Sequence, residues 1–88
     1  MESLFQLNIP VQMISCTDTN GKITPMVFKF KDRSGEIITI KINQVKYAEY
    51  IYAGARFSCN AFINDVLKSF SLWYNFTSHD WRMNGLNL

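Results

Sequence analysis

The chain has 88 residues, of which 48% are hydrophobic and 15% aromatic, and its formal net charge is +2. This length allows one domain with one small core, and the composition is too apolar for a disordered chain. The charge is too small for a protein that draws its affinity mainly from phosphate contacts. We expect a single domain over residues 1–88, with a core between roughly residues 9 and 83 and flexible ends at 1–8 and 84–88.

No apolar run approaches the roughly 18 residues of a membrane-spanning helix, and the first residues, MESLFQLNIP, lack the basic and apolar regions of a signal peptide. We therefore expect a soluble cytoplasmic protein without a membrane partner. Cys16 and Cys59 both lie in apolar, strand-like stretches, and the cytoplasm would keep them reduced. They are predicted to be unpaired, core-facing and slow to react.

Two similar turn sequences, DTNG at residues 18–21 and DRSG at residues 32–35, lie between runs of β-branched and aromatic residues. Asp at the first position of a turn accepts hydrogen bonds from the backbone, and Gly three residues later adopts the left-handed conformation that closes a hairpin. The first turn predicts two opposed pairs, Cys16 with Thr24 and Ile14 with Met26. Pro25 has no amide hydrogen, so it must face away from a partner strand or lie at a bulge.

The second turn predicts a half-buried antiparallel hairpin, because apolar and polar residues alternate on both sides of it. Its inner face consists of three apolar pairs, Phe30 with Ile38, Phe28 with Ile40, and Met26 with Ile42. Its outer face carries Lys31, Lys29, Thr39 and Lys41, with Val27 and Ile37 as exceptions. Turn chemistry and periodicity thus lead independently to the same register.

The stretch YAEYIYAGARF, residues 47–57, places three tyrosines within six residues and then the small residues Ala53, Gly54 and Ala55. Since Ile42 ends the third predicted strand and Ala55 begins the fourth, this stretch is predicted to be a corner between two hairpins. Gly54 permits a turn or bulge there, and the alanines permit close approach of another strand. The tyrosines cannot all face one core, so at least one should expose its ring and hydroxyl group.

Residues 60–74 fit two patterns. Apolar residues recur at helical spacing from Ile63 to Tyr74, but the segment KSFSLWYNFT alternates like a strand and has few strong helix formers. We favour two strands joined by a two-residue turn at Asn64 and Asp65. Counting outward from Ile63 and Val66, the inner pairs are Cys59 with Phe70, Phe57 with Leu72 and Ala55 with Tyr74, and the outer pairs are Asn60 with Ser69, Ser58 with Ser71 and Arg56 with Trp73.

A final strand around residues 81–83 follows the turn TSHD. The chain is therefore predicted to be all-β, a small antiparallel meander of about six strands that forms a barrel or a strongly bent sheet. The order of KFKDRSGE, the alternating IKI, AGARFSC and a hairpin before Trp81 resembles a family of small uncharacterised β-proteins from Firmicutes, over about residues 9–83. The resemblance implies a small all-β fold without an assigned activity, so it supplies no site residues. Met83 and Gly85 depart from the longer apolar last strand of that family.

No motif in the sequence carries catalytic chemistry. TDTNGKI matches part of a calcium loop, but Cys16 and Val27 occupy the positions of the first ligand and the bidentate acid, so a turn is expected. Ser78, His79 and Asp80 contain the groups of a catalytic triad, but neighbours in a tight turn point apart. The cysteines lack the further ligands of a zinc site and an activating base. We therefore expect a non-enzymatic protein without a metal or a cofactor.

Two functions remain. The first is an interaction module that binds another protein or a second copy of itself through a sheet edge or an aromatic patch. Its predicted contact surface consists of Tyr47, Tyr50, Tyr52, Arg56 and Trp73. The alternative is single-stranded nucleic-acid binding on a small barrel, through Lys29, Lys31, Arg33 and Lys41. The hairpin that carries these residues offers no outward ring for base stacking, so a lysine face that only aids solubility is favoured over nucleic-acid binding.

Overall fold

The computed structural model describes residues 5–6 and 8–87. These residues form nine β-strands and no helix, which confirms the predicted all-β class. The strands are β1 (Phe5–Gln6), β2 (Ile9–Thr17), β3 (Ile23–Lys31), β4 (Ile37–Lys41), β5 (Gln44–Ile51), β6 (Gly54–Ile63), β7 (Val66–Asn75), β8 (Trp81–Asn84) and β9 (Leu86–Asn87). The part of the chain described here has no helix long and apolar enough to cross a membrane.

Seven strands form one antiparallel sheet in the order β4-β3-β2-β8-β7-β6-β5, and β1 pairs with β9 in a separate two-stranded sheet. Consecutive strands are paired within each half of the large sheet, β2 to β4 on one side and β5 to β8 on the other. Pairing of β2 with β8 joins the halves. The sheet curls into a half-barrel, so the predicted antiparallel meander with a strongly bent sheet is confirmed.

The curl leaves β4 and β5 as the two edges of the sheet, although they follow each other in the chain. The two residues that connect these strands bond to both halves. Ile42 donates its amide hydrogen to the carbonyl oxygen of Met26 on β3 at 2.9 Å, and Asn43 donates its amide hydrogen to the carbonyl oxygen of Asn60 on β6 at 2.9 Å. The connection therefore ties the two edges of the half-barrel together.

The predicted register of the third hairpin is confirmed, that of the second is confirmed from Val27 to Lys31, and residues 60–74 form strands instead of a helix. The confirmed pairs include Phe28 with Ile40, Phe30 with Ile38, Cys59 with Phe70 and Arg56 with Trp73. Between β6 and β7, Asn64 and Asp65 have φ angles of 50° and 65°. This left-handed conformation matches the twist of the flanking strands in a two-residue hairpin.

The inner face of the curled sheet forms the core. Its buried apolar residues are Phe28, Phe30, Ile40, Ala55, Phe57, Cys59, Ala61, Phe70, Leu72, Trp81, Met83 and Leu86. Side chains from the two halves of the sheet pack on each other, as the rings of Phe28 and Phe70 do with centroids 5.5 Å apart. Each large apolar side chain buried in this way contributes about 1.5–3 kcal/mol to stability.

The first hairpin differs from its prediction because β3 contains a β-bulge. Ser15 pairs with Pro25 and Ile14 pairs with Val27, which leaves Met26 as the extra residue. Pro25 is buried and has no amide hydrogen, and of the two alternatives that the sequence left for it, an outward amide position or a bulge, the bulge next to it is observed. The extra residue reverses the face of every position between the bulge and the turn.

The bulge places two predicted core residues outside the core. Met26 is 48% exposed and does not pair with Ile42 inside the core. Ile14, which was expected opposite Met26, pairs with Val27 instead and is 63% exposed. Cys16 lies opposite Thr24 as predicted, but its side chain is exposed. The prediction that Cys16 faces the core is therefore wrong.

Residues 47–57 do not form the predicted corner. Gln44–Ile51 is a strand that pairs with β6 along its length, so the stretch consists of a strand, a turn and the beginning of β6. A register shift in β5 leaves Lys46 as a bulge. This bulge breaks the alternation by which a strand is recognised in a sequence.

The end of the chain also differs from the prediction. Gly85 has a φ of 81°, and beyond it Leu86 is fully buried in β9, so residues 84–87 do not belong to the expected flexible tail. Strand β9 pairs with β1 through Phe5 opposite Asn87 and Gln6 opposite Leu86. Other parts of the predicted flexible ends, residues 1–4, 7 and 88, lie outside the described residues.

Gly54 begins β6 at a point where this strand lies very close to β7. A Cβ atom at position 54 would collide with the backbone oxygen of Tyr74 and the indole ring of Trp73. We expect Gly54→Ala to lower the free energy of unfolding by about 1–3 kcal/mol, the usual cost of overpacking, as measured by urea denaturation. The control Ala53→Ser, in the adjacent exposed turn, should change it by less than about 0.5 kcal/mol. A Gly54→Ala protein as stable as the wild type would contradict this close packing.

Candidate functional site

The turn between β7 and β8 contains the single histidine of the sequence, and its geometry is not that of a triad. Ser78 donates its hydroxyl hydrogen directly to Asp80, whereas Nδ1 of His79 lies 3.0 Å from the hydroxyl group of Tyr74. A catalytic base must lie between the nucleophile and the carboxylate, and this imidazole does not. The hydrogen bond from Ser78, together with Arg82, holds the pKa of Asp80 below its ordinary value. These residues therefore stabilise a turn.

The acidic residues of the other turns bond to their own backbone. Oδ1 of Asp18 accepts hydrogen bonds from the amides of Asn20 and Lys22, each at 2.9 Å. Oδ1 of Asp32 accepts the hydroxyl hydrogen of Ser34 at 2.7 Å, and this bond lowers the pKa of the Asp32 carboxyl group. Among residues 5–6 and 8–87, no group of three or more His, Cys, Asp or Glu side chains could hold a metal ion. The expected lack of enzymatic activity and of a metal stays a prediction.

The two cysteines have different surroundings. Both are unpaired, as predicted. Cys59 lies in the core, and its burial raises the pKa of the thiol to about 12. Cys16 lies near the end of the first hairpin with its side chain exposed. Because the thiolate is the reactive form, the core cysteine is protected by its environment as well as by its inaccessibility.

Three residues of the predicted contact surface share the outer face of the sheet. Arg56 and Trp73 lie opposite each other on β6 and β7, and Tyr47 lies on the neighbouring β5. Glu49 on β5 and Arg82 on β8 extend the row of Arg56 and Trp73 across four strands. The guanidinium group of Arg56 pairs with Glu49 at 3.3 Å, and both side chains are largely exposed, so this ion pair adds little stability.

Tyr50 and Tyr52 lie elsewhere. The ring of Tyr50 packs on Phe57 of the core with centroids 6.2 Å apart, and its hydroxyl group accepts a hydrogen bond from the amide of Ile23 on β3 at 2.8 Å. Tyr52 lies in the turn between β5 and β6 with a fully exposed side chain. The expectation of at least one exposed tyrosine is confirmed, but the five predicted contact residues come from two faces and a turn. They do not form one surface.

The residues of the alternative, nucleic-acid surface do lie in one region. Lys29, Lys31 and Lys41 are on the outer face of β3 and β4, and Arg33 is in the turn between these strands. Within the described chain, none of the three lysines forms an ion pair with an acidic side chain. The aromatic residues of these strands, Phe28 and Phe30, are both buried. This face is therefore cationic and offers no ring on which a base could stack.

A groove opens on this face where β2 and β3 separate. Strand β2 pairs with β8 over Ile9–Val11 and with β3 only from Gln12 onward, which leaves Phe30 and Lys31 without a partner residue on β2. The opening has a volume of about 370 Å³. We call it the β2–β3 groove, and its lining consists of Pro10, Val11, Gln12, Lys29, Phe30, Lys31 and Ile37. It combines apolar side chains with two cationic groups.

The β6–β7 hairpin projects beyond its neighbours. Strand β5 pairs with β6 no further than Asn60, and β8 pairs with β7 no further than Ser71. The last three pairs of the hairpin, Ala61 with Lys68, Phe62 with Leu67 and Ile63 with Val66, therefore have no paired strand on either side. Both neighbouring strands end too early to cover the end of this hairpin.

The end of this hairpin, Phe62–Leu67, is called the β6–β7 tip below, and it carries exposed apolar side chains. Phe62 is 61% exposed, Val66 is 55% exposed and Leu67 is 50% exposed. Phe62 and Leu67 lie opposite each other on the outer face. The alternation in the sequence indicated which way these side chains point but did not identify them as a contact site. The signal in the sequence was a turn, Asn64-Asp65, flanked by apolar residues on both sides.

Comparisons with protein-family models, curated proteins and solved structures found no match for this chain. The candidate site therefore depends on geometry alone. The resemblance to a Firmicutes family stays a prediction.

The positions of the cysteines predict the result of thiol labelling. At pH 8 a thiol-specific reagent should modify Cys16 rapidly in the native protein and Cys59 only after unfolding, because Cys59 is buried. The measurement is the number of modified thiols against time, with Cys16→Ser as the control that should remove the rapid phase. Rapid modification of both thiols, or of neither, would contradict the assignment of Cys16 to the outside.

Proposed function

We propose that this chain is a non-catalytic protein-interaction module whose contact element is the β6–β7 tip. The observation that carries the proposal is a projecting hairpin that ends in large exposed apolar side chains. The turn itself, Asn64-Asp65, is polar as hairpin turns usually are, whereas Phe62 and Leu67 occupy outward strand positions that are usually polar when one face of a sheet meets water. Neighbouring exposed apolar side chains on a small domain are typical of surfaces that a partner covers.

The hairpin is well suited to binding because it is already ordered. Ten residue pairs, from Gly54 opposite Asn75 to Ile63 opposite Val66, join β6 and β7. A contact element that keeps its conformation loses little conformational entropy on association. Phe62 is the natural anchor, since aromatic side chains dominate the energetics of many interfaces. Its complete burial would contribute about 1.5–3 kcal/mol.

The proposal covers a partner protein or a second copy of the chain, and it includes a cytoplasmic location. An exposed, unpaired Cys16 supports that location, because reducing compartments keep such thiols free. The outer face of the sheet also carries Tyr47, Arg56 and Trp73, which form a second candidate contact area on the same side as Phe62 and Leu67. Its charged residues make it less apolar than the tip.

The alternative function is binding of single-stranded nucleic acid. It is favoured by the grouping of Lys29, Lys31 and Lys41 on one face, none of which is neutralised by an acidic partner in the described chain. Two observations weigh against it: the rings of the same strands are buried, and the net charge of the chain is only +2. Proteins that bind single strands combine cationic grooves with stacking rings.

The role of the tip can be tested by replacing its apolar side chains. We expect Phe62→Ser combined with Leu67→Ser to weaken binding at least about tenfold, since burial of each side chain is worth about 1.5–3 kcal/mol. Light scattering over a range of concentrations measures self-association. Capture from a cell lysate on immobilised chain, compared between wild type and variant, measures binding to other proteins.

Tyr52→Ser is the matched control, because Tyr52 is a fully exposed aromatic residue in the turn at the other end of β6. It should leave binding unchanged, and urea denaturation should show that every variant is folded. The proposal fails when neither self-association nor lysate capture depends on Phe62 and Leu67. Loss of binding in Tyr52→Ser alone would instead assign contact to the predicted tyrosine surface.

The nucleic-acid alternative makes a different prediction. Titration with mixed single-stranded oligonucleotides at two salt concentrations should give only weak binding, with dissociation constants no tighter than about 10⁻⁴ to 10⁻⁶ M at physiological salt. Fluorescence anisotropy measures this affinity, and Lys29→Glu with Lys31→Glu is the matched variant. Tight binding that falls steeply with salt and is lost in this variant would favour the alternative over our proposal.

A further inference from the structure

The lining of the β2–β3 groove suits an occupant with negative charge. Lys29 and Lys31 on β3 line one side of the groove, and Pro10 and Val11 on β2 line the other. Neither lysine has an acidic partner in the described part of the chain. Ile37 adds an aliphatic side chain that is 55% exposed. A complementary occupant therefore combines apolar side chains with a carboxylate.

The β6–β7 tip has this composition. Its residues are Phe62, Ile63, Asn64, Asp65, Val66 and Leu67, so the one charged group among them is a carboxylate. Asp65 is exposed at the turn itself, where its φ of 65° fixes the backbone. The large exposed apolar side chains lie directly beside it. The next charged residue, Lys68, lies opposite Ala61 on the inner face, away from Phe62 and Leu67.

We infer that the β6–β7 tip of one copy docks into the β2–β3 groove of a second copy. In this contact the side chains of Phe62 and Leu67 meet Pro10 and Ile37, and the carboxylate of Asp65 lies near the two lysines. The inference rests on the proposed function, because it names the partner of the same contact element. Neither surface is covered by other described residues of the same chain, and each supplies what the other lacks.

The tip and the groove lie on different strands, so the contact joins two unlike surfaces. The tip is on β6 and β7 and the groove is on β2, β3 and β4, and β8 separates these two parts of the sheet. A contact between unlike surfaces is heterologous, so copies join head to tail or form a closed pair by two reciprocal contacts. Either arrangement leaves a tip and a groove that can be inactivated separately.

The test uses two full-length variants, each with one surface removed. The tip variant carries Phe62→Ser and Leu67→Ser, and the groove variant carries Lys29→Glu and Lys31→Glu. All four positions are exposed, so both variants should keep the wild-type fold in urea denaturation. Lys41→Glu, on the same outer face but outside the groove lining, is the matched control and should keep wild-type association.

We expect each variant alone to associate at least tenfold more weakly than wild type, and an equimolar mixture of the two to form a one-to-one complex. The mixture associates because the tip variant keeps its groove and the groove variant keeps its tip. Native mass spectrometry and light scattering measure this stoichiometry. A contact between two identical surfaces gives no such recovery.

The failures of this inference and of the proposed function are distinguishable. Wild-type association that depends on the tip, with no complex in the mixture, overturns docking into the groove and leaves the interaction module intact. A wild type that stays monomeric at the highest concentration also overturns the inference. In that case tip-dependent capture of another protein still supports the proposed function, and its absence rejects both.

Discussion

The structure depends on one constraint, which is that a single antiparallel sheet must bury one face against itself. The described chain has no helix that could cover this face. Apolar side chains of β3 and β4 therefore reach those of β6 and β7 only when the sheet curls, as the contact between Phe28 and Phe70 shows. A flat sheet would expose these side chains to water at a cost of about 1.5–3 kcal/mol for each large residue. Curling thus follows from the apolar pattern together with the small size of the chain.

The same constraint determines which parts of the sheet stay uncovered. A curled sheet encloses the middle of its strands, where Phe57, Cys59 and Leu72 are buried. The β6–β7 hairpin extends past both neighbouring strands, and while Ala61 and Phe70 at its base are still buried, the exposed side chains of Phe62, Val66 and Leu67 at its end lie outside this enclosure. The separation of β2 from β3 has a related origin, since β2 pairs with β8 before it reaches β3. The tip and the groove are both consequences of unequal strand pairing.

Turn chemistry and alternation predicted the β3–β4 and β6–β7 registers correctly, because each turn fixes the pairing of the strands beside it. Turn chemistry and alternation did not predict the two bulges, although Pro25 had left a bulge open as one alternative for the first. The bulge at Met26 reversed the faces of Ile14 and Cys16, and the bulge at Lys46 concealed β5. The candidate site was missed for another reason. Alternation tells which face a side chain occupies, but exposure of the tip depends on where β5 and β8 end, and that is a property of the whole sheet.

The edge strands of the sheet are protected against association, whereas the β6–β7 tip is not. Edge strands are prone to pair with other molecules, and short length, lysine and bulges reduce this tendency. Strand β4 has five residues and ends in Lys41, and β5 carries the bulge at Lys46. The tip has no comparable protection, although polar residues at the outward positions of Phe62 and Leu67 would be compatible with the same hairpin. Their exposed side chains add little to the core of their own chain, so the fold does not require them to be apolar. Burial of these side chains by a partner, as we propose, does require them to be apolar.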